Sequence, residues 1–130
     1  HRRVLQATDW GWLVVVVLMF IDLRLLAALD IVHGSIAALG LDQPPHVFWA
    51  GIGASQLISN VPATIALAEC SHDWRAIAYG VNVGGFGILT GSLANLIALR
   101  MAPEPRKYRV FHAWSLPFLL AAALIGYVLL

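Results

Sequence analysis

Ser59-Asn60-Val61-Pro62 interrupts an otherwise apolar stretch of this chain. Asn82-Val83-Gly84-Gly85-Phe86-Gly87, running on through Thr90-Gly91-Ser92 to Asn95, interrupts the next one. In lipid, every backbone N–H and C=O needs a partner, so a break at membrane depth survives only where protein or a water-filled cavity surrounds it. Two breaks this close in sequence predict one shared polar cavity, the kind of place where broken helices form a binding site.

That lipid is the right solvent follows from composition. The 130 residues are 60% hydrophobic and 12% charged, with a mean hydropathy of +0.80. Soluble domains carry about 25% charged residues. The single cysteine, Cys70, excludes an internal disulfide and reads as a small packing residue. The chain starts at His1 rather than Met and reads as a C-terminal piece of a longer protein. Nothing in it has the pattern of a nucleic-acid-binding module or a phosphate-binding loop.

Working outward from the breaks, residues 46–70 predict a helical hairpin and residues 74–101 a membrane-crossing helix broken near its centre. Pro62 suits the first turn of a new helix and disfavours helical geometry at Val61. Gly51, Gly53, Ala54 and Ser55 are small enough to let another helix approach. In the second break, Gly80, Gly84, Gly85, Gly87 and Gly91 fall within twelve residues. Each weakens a helix by about 1 kcal/mol relative to alanine. Close packing through a pair such as Gly80/Gly84 also accounts for glycines. It does not account for Asn82, Thr90, Ser92 and Asn95 among them, which favours unwinding over residues 84–91.

Residues 10–33 predict a first membrane-crossing helix, with Trp10 and Trp12 in an interfacial belt. Asp22 falls roughly 18 Å along it, near mid-membrane, where an ionisable residue is a candidate for proton coupling. A structural ion pair is the competing reading. Asp22 and Arg24 do not face each other on one helix, so each calls for its own partner, sought in sequence beyond this piece. Residues 30–45 form a connection without Lys or Arg, and His33 there lacks any metal-ligand spacing. Residues 111–130 predict a final crossing, with Pro117 inside it.

Basic residues decide the topology. If 46–70 crossed the membrane, Arg2 and Arg3 would lie opposite Arg100, Arg106, Lys107 and Arg109. If it enters and returns on one side, both clusters share a side, as the positive-inside rule prefers. The expected fold is therefore an all-α membrane protein with three transmembrane helices, one re-entrant helical hairpin and one broken helix. Residues 102–110 would be cytoplasmic and the C-terminus outside, in a bacterial inner membrane.

The quoted motifs, Gly53-Ala54-Ser55-Gln56-Leu57-Ile58-Ser59-Asn60-Val61-Pro62-Ala63-Thr64 with Asn82-Val83-Gly84-Gly85 and Thr90-Gly91-Ser92-Leu93-Ala94-Asn95-Leu96-Ile97, resemble the ion transporter superfamily. That group holds arsenite permeases, sodium/proton antiporters of the NhaD type and dicarboxylate or citrate symporters. The resemblance implies the second of two inverted repeats, with the first hairpin, in the missing half, supplying the rest of the site, and a homodimer as a common assembly. It implies a substrate site at Ser59, Asn60, Val61, Thr90, Ser92 and Asn95. It places a sodium site at Ser55, Ile58, Asn60 and Gly91, with Ile58 and Gly91 offering backbone carbonyls. Val61 stands where the dicarboxylate branch carries Thr, and Ser59 where the arsenite and antiporter branches often carry an acid.

The expected function is secondary transport of a small inorganic or carboxylate anion, coupled to Na⁺ or H⁺, with Na⁺ as the only cofactor-like ion. One alternative is a cation/proton antiporter titrating Asp22. Another is a membrane segment that only packs against partners. Enzyme chemistry is not expected, because Ser59 has no His and acid beside it, and His46 and His72 are predicted at the membrane surface.

Overall fold

The computed structural model describes residues 10–27, 29, 34 and 40–130. The basic arm with Arg2 and Arg3, His33, and most of the 30–45 connection lie outside the described residues. Those described form helices and loops without a strand. In chain order they are α1 (Trp10–Ala27), α2 (Pro44–Ile58), α3 (Asn60–Ala68), α4 (Trp74–Gly84), a 3₁₀ turn (Leu89–Gly91), α5 (Leu93–Met101) and α6 (Lys107–Leu129).

Pro44 and Pro45 open α2 at its first positions, where a missing N–H costs nothing. The helix stops at one residue, Ser59, whose φ of 74° and ψ of 153° turn the chain straight into α3. The turn is therefore narrower than Ser59 through Pro62: Asn60 and Val61 are already helical. Pro62 sits in the first turn of α3, where a missing N–H forfeits no intrahelical bond, so the bias against helix at Val61 is overridden. α3 folds back along α2, and Val47, Ala63 and Leu67 pack with Ala76, Ile77 and Val81 of α4 in one buried cluster.

α2 and α4 run parallel in close contact. A Cβ on Gly80 would lie 2.5 Å from Phe48 O, and one on Gly84 would lie 2.6 Å from Ser55 Cβ. Phe48 and Ile77 are the largest side chains buried beside this seam. Both readings of the glycines hold, in different places: Gly80 and Gly84 let α2 approach, while Gly85, Gly87 and Gly91 lie in the break.

α6 runs antiparallel to α4. Arg75 donates to Leu129 O at 2.5 Å, satisfying a carbonyl of the last turn of α6, and Gly126 packs on the Phe48 ring. Pro44, Pro45, Tyr127 and Leu130 line one pocket. The start of α2, the start of α4 and the end of α6 thus share one level. The α2–α3 hairpin opens there, and its tip, Ser59, lies about 22 Å away at 1.5 Å per residue over the 15 residues of α2.

Among the described residues, α6 is the helix long and apolar enough to cross a membrane. At 23 residues it measures about 34 Å, against about 30 Å of hydrocarbon. Its buried residues are Ser115, Ala123 and Gly126, all small, whereas Val128 is 83% exposed and Trp114 77%. A helix apolar on every side and bare over most of its surface is built for lipid. Pro117 is accommodated inside α6, which continues past it.

Candidate functional site

Unwinding a helix strands backbone groups, and here side chains from other elements take them up. Between α4 and α5, Gly87 adopts φ +100°, and its N–H donates to Ser115 Oγ of α6 at 2.8 Å. Asn95 Nδ2 donates to Gly85 O at 2.9 Å. Leu93 N–H donates to Ser59 Oγ at 3.0 Å, and Thr90 Oγ1 donates to Gln56 O at 2.7 Å. Gln56 Nε2 donates to Gly84 O at 2.5 Å and Phe86 O at 2.8 Å, while its Oε1 accepts from Ile88 N–H at 2.9 Å. Among the described residues, no buried side-chain nitrogen or oxygen lacks a partner. The two breaks form one hydrogen-bonded unit, tip against unwound segment.

Two short helices begin at this unit. Ser92 caps α5, its Oγ accepting from Ala94 N–H at 3.3 Å. Ser59 makes no side-chain cap to its own helix, α3, because its hydroxyl serves Leu93 of α5. The α3 N-terminus therefore keeps its first N–H groups free of a side-chain cap, and a helix N-terminus carries roughly half a positive charge. No charged side chain hydrogen-bonds to either break among the described residues. What the site offers is amides, hydroxyls, carbonyls and helix ends.

Of the residues expected to hold substrate, Ser59, Thr90 and Asn95 meet through these bonds. Ser92 sits beside them at the start of α5. Asn60 joins them on the tip, its Nδ2 3.4 Å from where a Cβ on Gly85 would lie. Val61 is on the first turn of α3, 42% exposed. The residues expected to hold sodium lie on three elements: Ser55 and Ile58 on α2, Asn60 on α3 and Gly91 in the 3₁₀ turn. Ser55 is fully buried, and its hydroxyl donates to Gly51 O at 2.8 Å inside the α2–α4 seam. Ile58 is 44% exposed. Gly91 packs against the carbonyls of Gly84 and Phe86. Among the described residues, no cluster of three or more His, Cys, Asp or Glu could hold a metal.

Asp22 is not brought to the breaks. Its neighbour Arg24 pairs with Glu69, the residue that ends α3, at 3.2 Å, so Arg24 finds its partner within this chain rather than beyond it. Glu69 stands at the mouth of the hairpin, ten residues from Ser59, and Asp22 lies about 3 Å along α1 from Arg24. α1 and α3 enclose a groove of about 410 Å³ there, lined by Phe20, Ile21, Thr64, Ile65 and Trp74 together with Arg24 and Glu69.

Gln56 and Ser115 carry much of the unit, yet neither was singled out by sequence. Both are lone polar residues in apolar helices, and that was the available signal. What they bind depends on helix register, which the sequence does not display.

No family model matches the chain, and no solved structure does. Among curated proteins it is 49% identical to the inner membrane protein YbiR of Escherichia coli over 129 residues, covering 99% of this chain and 35% of that protein. It is 38% identical to the uncharacterized transporter MJ0456 of Methanocaldococcus jannaschii, covering 78% of this chain and 28% of that one. It is 25% identical to the human P protein, covering 95% of this chain and 18% of that one. The chain spans about a third or less of the length of these relatives. An inner membrane relative and the lipid-suited surface of α6 together place the chain in a membrane.

Proposed function

From the paired breaks, and from likeness to proteins of which one is named a transporter, we propose that this chain is the second half-site of a secondary transporter. The longer protein would carry a small inorganic or carboxylate anion, coupled to Na⁺ or H⁺, by alternating access. The observation that carries the reading is the joining of the Ser59 tip to the unwound segment, with helix N-termini and no charged side chain at the junction. Helix ends and amides hold an anion without a fixed positive charge, so the grip is weak enough to release cargo. The α2–α3 hairpin is then re-entrant. It opens at the outer face beside the end of α6, with its tip about 22 Å deep in a core of about 30 Å. The cluster Arg100, Arg106, Lys107 and Arg109 lies on the cytoplasmic side.

Uptake by the full-length protein in proteoliposomes tests this. Labelled chloride, phosphate, sulfate, acetate and succinate would each be offered with a sodium gradient, a proton gradient or neither. Gradient-driven uptake of one anion is expected, falling about 100-fold in Asn60→Ala, the size of loss seen when one well-placed polar contact is removed. Folded protein that takes up none of them under either gradient would sink the proposal.

Cys70 reports the topology. Burial, and then the charge of Glu69, push its thiol above the usual cysteine range. The thiolate is the reactive form, so labelling at pH 7 is expected to be slower than for a free thiol and to quicken as pH rises; Glu69→Gln should speed it. In a full-length protein whose other cysteines are replaced, a membrane-impermeant maleimide should reach Cys70 from outside. Labelling from the cytoplasmic side alone would reverse the assigned orientation.

A further inference from the structure

In an unbroken helix the N–H of Ile88 would donate to the carbonyl of Gly84, four residues back. The side-chain amide of Gln56 stands between these two groups. Its Nε2 donates to Gly84 O at 2.5 Å, and its Oε1 accepts from Ile88 N–H at 2.9 Å. The second hydrogen of Nε2 goes to Phe86 O at 2.8 Å. A glutamine amide has two N–H donors and one carbonyl, and here all three functions are engaged by a single stretch of unwound chain. The surroundings also fix which way the amide faces, with two carbonyls on one side and an N–H on the other. Glycines leave room for it: a Cβ on Gly87 would lie 2.6 Å from Gln56 Oε1, and one on Gly91 3.2 Å from Nε2. The backbone carbonyl of the same residue accepts from Thr90 Oγ1 at 2.7 Å.

We propose that Gln56 is the positioning residue of the site. Inserted where the Gly84–Ile88 helix bond would form, its amide keeps the helix open and ties the open segment to the hairpin one turn before its tip. Ser59 and Asn60 on one side, and Ser92 and Asn95 on the other, then keep one relative placement. The geometry stands by itself; the consequence for transport rests on the function proposed above. Gln56 acts through the backbone of residues 84–90 and not on the cargo. Every group hydrogen-bonded to it is uncharged.

Amide hydrogen exchange on the full-length protein in lipid nanodiscs reads the positioning directly. In Gln56→Leu, which keeps much of the bulk and removes the amide, residues 84–92 are expected to exchange about tenfold faster or more, as befits the loss of three hydrogen bonds to one segment. The α2–α4 seam should exchange as in wild type. Gln56→Glu separates positioning from bulk. As a carboxylate it still accepts from Ile88 N–H but has no donor for the two carbonyls and is repelled by them, so exchange over 84–92 should be faster than in wild type; protonated, it regains one donor. Its exchange, compared with wild type at each pH, should therefore slow as pH falls. In the uptake assay, KM for the transported anion should rise about tenfold while the maximal rate per folded transporter holds. A residue that only supported folding would lower the amount of folded protein and leave KM alone.

Unchanged exchange over 84–92 in Gln56→Leu would overturn the proposal. So would Gln56→Glu tracking Gln56→Leu at every pH, or faster exchange with KM unmoved. If the wild type takes up no anion, the transport reading fails, while the exchange measurements still decide whether Gln56 holds the break.

Discussion

Gly80→Ala is expected to leave little folded protein. A Cβ at this position would stand 2.5 Å from Phe48 O, 3.0 Å from Phe48 Cα and 3.1 Å from its carbonyl carbon. All three are backbone atoms inside α2, so no side chain can swing away; the helices must separate. Separation would open the seam along its length, because Gly51 lies against the Gly80 and Val81 backbone and Gly84 against Ile52 and Ser55. Overpacking a core costs about 1–3 kcal/mol and more where backbone must move, which is a large part of a typical total stability of roughly 5–15 kcal/mol. We expect a loss of about 3 kcal/mol for Gly80→Ala, and more when Gly84→Ala is combined with it. Gly53→Ala is the control. It lies on α2, the helix that faces Gly80, its Cβ would meet nothing within 4 Å, and alanine favours the helix by about 1 kcal/mol over glycine. Thermal unfolding of the detergent-solubilised full-length protein, followed by size-exclusion fluorescence, should show Gly53→Ala at or above wild type and Gly80→Ala far below. Equal behaviour of the two would mean that α2 and α4 do not meet at Gly80.

The same glycines show how far sequence reaches. Gly80 and Gly84 have the spacing of a packing motif, and Gly84 through Gly91 the density of an unwound segment; composition left both standing. Which glycine does which depends on the face each presents to α2. That became visible only once Phe48, Ile52 and Ser55 were set opposite Gly80 and Gly84. The breaks themselves were legible, because proline, glycine and asparagine act on their own backbone. Pro62 does stand in the first turn of a new helix, as its chemistry suggests, but a proline there forfeits no hydrogen bond and Val61 is helical against the local bias. Long-range pairings were not legible. Arg24 and Glu69 lie 45 residues apart, and nothing local to either names the other. Ser55 donates its hydroxyl hydrogen to Gly51 O one turn back in α2, a bond that its place in the motif does not show and that leaves the oxygen lone pairs available.

Ser59 separates stability from function. Its φ of 74° with ψ of 153° lies in a region that essentially only glycine adopts, and holding another residue there costs about 1–3 kcal/mol. Ser59→Gly relieves that strain. It also removes the Oγ that accepts from Leu93 N–H, a bond contributing about 1 kcal/mol. The two effects oppose, so Ser59→Gly is expected to unfold at the wild-type temperature or slightly above it. Ser59→Ala keeps the strain and loses the bond, and should be less stable by about 1 kcal/mol. Uptake should not follow this order. Both variants lack the hydroxyl that joins the hairpin tip to the start of α5, so both should lose transport by about tenfold or more, on the scale of one lost contact in a shaped polar site. A stable Ser59→Gly with full uptake would remove Ser59 from the site. A Ser59→Gly as unstable as Ser59→Ala would mean that the strain assigned to this residue is absent. Glycine would be the comfortable residue at a turn of this shape. A serine held there against its backbone preference, with its hydroxyl turned from its own helix to another, is the arrangement expected where strain serves a site.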